Sequence, residues 1–269
     1  MSATTAQLLE PLTSEPRSAA LFCDIDGTLA PIVSRAEDSR VGEQVPSLLT
    51  RLSGSYGLVA CVSGRSVAEA RRIVGVDTIS YVGSHGAEIL EAGDAEPELV
   101  EAFASWEGQV SEFAGVRADA PETRRLQVRL EDKGAIKAFH WRGAPDEDAA
   151  RTLLEGVARE AETAGLDTHW GRKVLEIRPP VPVDKGQAVR TLLERHPVSV
   201  ALYAGDDVTD LDAFDALDAL TAAGSVRAAV RVGVRSAEGP AAIVKRADLV
   251  VEGVDGLVEV LAALADALR

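Results

Sequence analysis

Asp24 and Asp26 stand one residue apart in the stretch LFCDIDGTLAP, where an apolar run gives out. Two carboxylates that close raise each other's cost of ionisation, and a fold gains nothing from that. Two such acids can, however, divide the work of phosphate ester hydrolysis, one of the slowest uncatalysed reactions. A carboxylate nucleophile splits the reaction into two transfers through an acyl phosphate. A second acid protonates the leaving alcohol, then takes a proton from the attacking water. Asp24 and Asp26 have the types and the spacing for those two tasks.

Further polar groups follow other apolar runs. Ser63, Gly64 and Arg65 come after GLVACV, and Asp206 and Asp207 come after VSVALYAG, with Asp210 shortly beyond. If these runs are neighbouring parallel strands, the groups converge at one edge of the sheet, where open α/β sheets bind ligands. Gathered carboxylates need a counter-charge. A hard divalent cation such as Mg²⁺ supplies it through oxygen ligands and bridges to phosphate. Ser63, the Gly64 N–H at a helix start, and Lys185 would then hold an anion. Taken singly, Asp26-Gly27 is a turn, Ser63-Gly64 a helix cap, Lys185 a surface lysine and GDD an acidic turn. Their joint occurrence at strand ends favours the phosphate site.

The elements that must position these groups follow from periodicity. SAALFCDI, GLVACVS and SYVGSHGAEIL read as three strands, the last with an internal Gly-flanked turn, separated by helices over GEQVPSLLTRLSG and SVAEARRIVG. Continuous apolar runs alternating with helices mark a doubly wound parallel sheet. Residues 1 to about 17 read as a loose arm or one short helix. From about Glu96 to Val116 one amphipathic helix is expected. RRLQVRLED, IKAFHWR and KVLEIRP then alternate as three half-buried strands, with a long helix from Asp146 to about Gly165. After Asp184 the first rhythm returns with KGQAVRTLLERH, VSVALYAG, TDLDAFDALDAL, SVRAAVRVG, ADLVVEG and a last helix over VDGLVEVLAALADAL. The expected division is a discontinuous core, 1–95 and 183–269, with a smaller α/β cap inserted at 96–182.

Composition narrows the partners. Of 269 residues, 28 are basic and 43 acidic, a net charge of −15 that disfavours nucleic acid and anionic membranes. Cys23 and Cys61 lie in apolar runs and read as reduced packing thiols. No basic stretch followed by an apolar one opens the chain, and no apolar window reaches the ~18 residues of a span. A cytoplasmic protein is expected. The oligomeric state is open, and a monomer is compatible with the pattern.

Asp24-Ile25-Asp26-Gly27-Thr28, Ser63, Lys185 and Gly205-Asp206-Asp207-Val208-Thr209-Asp210 resemble the four motifs of haloacid dehalogenase-superfamily phosphatases. The longer strings DIDGTLAPIV, VSGR, GSHGAE, LEDKG with AFHWR, EIRP and YAGDDVTDLDAF are similar to those of trehalose-6-phosphate phosphatases, over roughly residues 20 to 215. Ile25 and Trp141 stand where that family often has Tyr, and Ser84 where other side chains are common. The resemblance implies a Rossmann-like core with an α/β cap and Mg²⁺ held by the Asp24 carboxylate, the Asp26 carbonyl and Asp206, with Asp207 and Asp210 supporting. It implies phosphoryl contacts from Ser63, Gly64 and Lys185, and sugar contacts from Glu131, Lys133 and Glu176. Arg65, His85 and Arg178 are further candidates for shaping the substrate site, and Thr28 for supporting the first motif. The implied reaction is hydrolysis of trehalose 6-phosphate to trehalose and phosphate. Three alternatives stay open: a phosphatase for sucrose phosphate or mannosyl-phosphoglycerate, a phosphomutase with the same nucleophile, and a non-catalytic sugar-phosphate-binding regulator.

Overall fold

A computed structural model describes residues 3–33, 35–171, 173–236 and 239–268. The chain divides into two compact units, Met1–Glu98 with Val183–Arg269, and Leu99–Pro182. The first stretch carries α1 (Ala3–Ser14), β1 (Ala19–Cys23), α2 (Gln44–Ser53), β2 (Leu58–Val62), α3 (Val67–Val74), β3 (Ser80–Gly83), β4 (Glu88–Leu90) and β5 (Glu98–Leu99). The middle stretch carries α4 (Glu101–Ala104), α5 (Glu107–Ala118), α6 (Pro121–Arg125), β6 (Arg129–Lys133), β7 (Ile136–His140), α7 (Glu147–Thr163), β8 (Asp167–Gly171) and β9 (Val174–Arg178). The last carries α8 (Lys185–Arg195), β10 (Val200–Gly205), α9 (Asp210–Ala222), β11 (Ala228–Arg235), α10 (Ala241–Arg246), β12 (Leu249–Glu252) and α11 (Gly253–Asp266).

In the first unit the strands run β12-β11-β10-β1-β2-β3-β4-β5. The pairings from β12 through β3 are parallel, and β4 turns back antiparallel to β3. β1, β2 and β10 are buried along their whole length, which explains their unbroken apolar runs. Leu21, Cys23, Val59, Cys61, Leu202 and Ala204 face one core that also takes Leu9, Leu49, Ile73 and Leu261 from α1, α2, α3 and α11. On the alternate positions, Phe22 stacks near Tyr203, and Tyr203 meets Phe214 of α9 edge-on. Helices therefore cover both faces, as a doubly wound sheet requires. The register pairs Cys23 with both Cys61 and Ala204, so the carboxyl ends of β1, β2 and β10 lie level.

The second unit is an antiparallel sheet, β6-β7-β9-β8. Phe139, Leu175 and Ile177 pack from it onto Val110, Phe113, Leu154 and Val157 of α5 and α7.

Of the two readings of the opening residues, the short helix holds, over Ala3–Ser14. Several other local expectations need correction. SYVGSHGAEIL is two antiparallel strands, because Ser84, His85 and Gly86 all take positive φ and reverse the chain. The helix expected from Glu96 to Val116 is a short strand and two helices. It breaks near Ser105, whose hydroxyl donates to the Ala102 carbonyl instead of leaving the helical ladder undisturbed. In RRLQVRLED the two arginines end α6, which Pro121 starts, and left-handed Gln127 separates it from β6. β8 was not foreseen: DTHWG has no alternating apolar face to announce it. Among the described residues no helix is long and apolar enough to cross a membrane.

Candidate active site

The carboxyl ends of β1 and β10 bring together the buried carboxylates of Asp24, Asp206 and Asp210, with ligand atoms within 4.8 Å of one another. Lys185 joins them. It is the first residue of α8, capped by Asp184, whose side chain accepts the Gln187 N–H at 2.7 Å. A cation in a helix's first turn runs against the dipole. Lys185 is held there by its ammonium, which donates to Asp24 Oδ1 and Asp210 Oδ1, both at 2.7 Å. Burial opposes its charge, but the Asp210 and Asp24 carboxylates outweigh it and push the pKa up.

The three acids are not equivalent. Asp210 is saturated. Its Oδ1 also accepts the Tyr203 hydroxyl at 2.8 Å, and its Oδ2 accepts the N–H groups of Asp206 and Asp207 at 2.9 Å each. It acts as a buttress that shapes the loop and anchors Lys185. Gly205 lacks a side chain where one would overlap the Asp210 carboxylate. Asp206 Oδ1 accepts the Thr28 hydroxyl at 2.8 Å, which ties the β1 turn to the β10 turn. Gly27 has φ +89°, and any side chain there would overlap the Asp206 carboxylate. The glycine after Asp26 is thus needed for close approach as well as for the turn.

Burial raises the Asp24 carboxyl from 3.8 to about 8, against the pull of Lys185 and with a push from Asp210. Burial raises Asp206 to about 6, opposed by the Thr28 hydrogen bond. Three carboxylates and one ammonium sum to −2 when fully ionised, a donor set that suits one hard divalent cation. Asp24 and Asp206 are the residues that could hold it, with Asp210 buttressing them.

Asp26 does not share this cluster's side-chain contacts. Its carboxylate takes a two-pronged bond from Arg65, Nε to Oδ2 at 2.5 Å and Nη2 to Oδ1 at 2.7 Å. The Ser39 hydroxyl donates to Oδ1 at 3.0 Å. Arg65 was expected at the substrate, and the structure places it on Asp26. Asp207, expected in the metal shell, is exposed, and its Oδ1 caps the Val208 N–H at 2.7 Å. Its side chain lies outside the group of three acids.

Ser63 is buried after β2, and its hydroxyl accepts the Arg65 N–H at 3.2 Å. Ser66 caps α3 by accepting the Glu69 N–H. His85 lies against Gly64 so closely that a Cβ there would come within 2.6 Å of the imidazole. Buried Glu88 pins the whole turn, accepting the Ser84 hydroxyl at 2.7 Å and the Val67 N–H at 2.9 Å.

In the second unit, Glu131, Lys133, Glu176 and Arg178 fall into one charged cluster. Glu176 accepts the Arg178 Nε–H at 3.0 Å and the Lys133 ammonium at 3.4 Å, and Lys133 is 3.6 Å from Glu131. Arg178 overcomes burial and lowers the Glu176 pKa. His169 stands opposite Glu176 in register, its pKa lowered chiefly by burial and by Arg178. His140 Nε2 is 2.7 Å from Glu131 Oε2.

Sequence reasoning missed Ser39, Tyr203, Glu88 and His169. Ser39 carries no periodic or motif signal, and Glu88 closes the string GSHGAE without its role being readable from it. Tyr203 reads as one more apolar residue of VSVALYAG, and His169 sits on the unforeseen strand.

The sequence profile described as trehalose-phosphatase matches residues 22–244. A trehalose-phosphate phosphatase of Mycobacterium avium is 35% identical over 220 residues, which cover 75% of this chain and 52% of that protein. An uncharacterised glycosyl hydrolase of Mycobacterium tuberculosis is 37% identical over 219 residues, 79% of this chain and 16% of that protein. The chain therefore spans about half the length or less of these curated relatives. Among solved structures, a trehalose-6-phosphate phosphatase related protein matches with TM-score 0.66 and 25% identity, covering 92% of this chain and 97% of that one. The C-terminal domain of Candida albicans trehalose-6-phosphate phosphatase shares the fold, with TM-score 0.67 and 22% identity over 97% of this chain and 96% of that one. The family match spans most of the chain and takes in every strand-end residue of the acidic site, so the chain belongs to the trehalose-phosphatase family.

Proposed function

We propose that this protein hydrolyses trehalose 6-phosphate to trehalose and phosphate through an aspartyl-phosphate on Asp24. The observation that carries the proposal is the buried group of Asp24, Asp206 and Asp210 crossed by Lys185. A bound Mg²⁺ would be held by Asp24 and Asp206, with the Asp26 carbonyl, and would neutralise charge on the phosphoryl oxygens. Asp24 attacks phosphorus in line, and the sugar oxygen leaves with a proton from Asp26. Asp26 then takes a proton from water as it attacks the acyl phosphate. Lys185, Ser63 and the Gly64 N–H bind the phosphoryl oxygens, and Asp210 keeps Lys185 in place.

Glu131, Lys133, Glu176 and Arg178 are the proposed sugar-binding groups, with His85 a further candidate. Charged partners make strong hydrogen bonds to correct hydroxyls and are left unpaired when those are missing. The family match and the named phosphatase relatives support this substrate over sucrose phosphate, mannosyl-phosphoglycerate or a mutase reaction. Phosphate release from a panel of sugar phosphates, with and without Mg²⁺, tests the proposal. Turnover of trehalose 6-phosphate well above glucose 6-phosphate, lost on chelation, is expected. Equal rates would overturn the specificity, and an isomer in place of free phosphate would identify a mutase.

A further inference from the structure

Asp26 lies in the turn after β1, bridged to Ala30, and its side chain is 35% exposed. Unsupported, a carboxylate there would sample several rotamers, and a proton donor misplaced by an ångström forfeits much of its effect. Building on the acid–base role proposed above for Asp26, we infer that Arg65 and Ser39 are its positioning residues, clamping the carboxyl group in one orientation.

The clamp has the right construction. A planar guanidinium bonded through two nitrogens fixes the plane of a carboxylate, which a lysine could not do. The third bond, from Ser39, falls on Oδ1, which the Arg65 Nη2 already holds. Oδ1 thus takes bonds from both positioning residues, and Oδ2 takes the Arg65 Nε–H, so both oxygens are oriented.

Both positioning residues are themselves fixed. The Arg65 N–H donates to Ser63 Oγ, and its carbonyl accepts the Ser84 N–H at 2.7 Å. Gly83 permits that closeness, since a Cβ there would lie 2.9 Å from the Arg65 carbonyl oxygen. Ser39 is fully buried, and the Arg40 guanidinium clips its loop by bonding the carbonyls of Ser39 at 2.6 Å and Glu37 at 2.7 Å. A buried serine and a braced arginine converging on one partly exposed carboxylate are more than a surface ion pair needs.

A mutant cycle on trehalose 6-phosphate turnover tests the assignment, using the full chain with Mg²⁺. Asp26→Asn is expected to lower kcat by about 10²- to 10⁴-fold, the range of general acid–base catalysis. Arg65→Ala should lower kcat by about 10- to 100-fold with KM little changed, Arg65→Lys by less, and Ser39→Ala by several-fold. In the Asp26→Asn background, Arg65→Ala should add less than about 2-fold, because residues acting through one group do not add. Losses that multiply in the double variant, or a raised KM from Arg65→Ala, would put Arg65 on the substrate and overturn the inference. If Asp26→Asn alone keeps normal turnover, the acid–base reading fails first and the two failures are told apart. Arg65→Lys and Ser39→Ala keep the test open should Arg65→Ala not fold.

Discussion

Asp24 and Asp26 escape mutual repulsion by facing different partners. One turns to Lys185 and the other to Arg65 and Ser39. The clash that makes the pair look costly in sequence is thus relieved by two separate cations, one of them buried. This much of the site was legible: the acids and Ser63 close apolar runs or follow them, and Lys185 stands where the resemblance puts the third motif. What was not legible is which partner each acid takes, since that depends on side-chain direction rather than spacing. A pH prediction belongs at this scale. Asp24 and Asp206 are raised from 3.8 to about 8 and about 6, so between those limits the folded protein holds protons that the unfolded chain releases. The stabilisation from their neutral forms is complete below about pH 4 and is lost as pH rises through 6 and then 8. Thermal unfolding of protein stripped of divalent ions should show Tm falling from pH 5 to 8, with added Mg²⁺ reversing the fall near pH 8. A Tm in stripped protein that rises over this range would contradict the burial argument.

Among the elements, the fully buried strands were the most readable, because β1, β2 and β10 must be apolar on both faces. β8 was invisible, since its exposed Asp167, His169 and Trp170 break any alternation. The reversal after β3 was hidden for a different reason. Positive φ at Ser84 and His85 is unusual for side-chain-bearing residues, and it is sustained by tertiary contacts. Glu88 is the chief of these, reaching the Ser84 hydroxyl and the first N–H of α3. Glu88→Ala strands both donors and should cost about 1–3 kcal/mol in urea unfolding. Turnover should fall as well, because the turn also orients Ser63 and Arg65. Glu88→Gln, which keeps an acceptor, should recover part of both. An unchanged urea midpoint for Glu88→Ala would show that the turn holds itself.

For the molecule as a whole, the first unit is assembled from two distant stretches of chain, and β1 pairs with β2 from the near stretch and β10 from the far one. The buried acids and Lys185 lie in this unit, while the second holds its own charged cluster around Glu176. This separation predicts a separation of effects. Glu176→Ala should raise KM for trehalose 6-phosphate by about 10- to 100-fold, the worth of one charge-assisted hydrogen bond. Hydrolysis of p-nitrophenyl phosphate, which has no sugar hydroxyls, should change little. Equal losses on both compounds would mean that Glu176 supports structure rather than recognition. The net charge of −15 makes local cations such as Lys185 and Lys133 the expected attractors for an anionic substrate.

The most direct test is to mix the protein with trehalose 6-phosphate and Mg²⁺, quench in acid within a turnover, and map the phosphoryl group by peptide mass. A phosphoryl group on Asp24, absent from the inactive Asp24→Asn variant, is the predicted result. Phosphate release that continues in Asp24→Asn, or a phosphoryl group trapped on any other side chain, would contradict it.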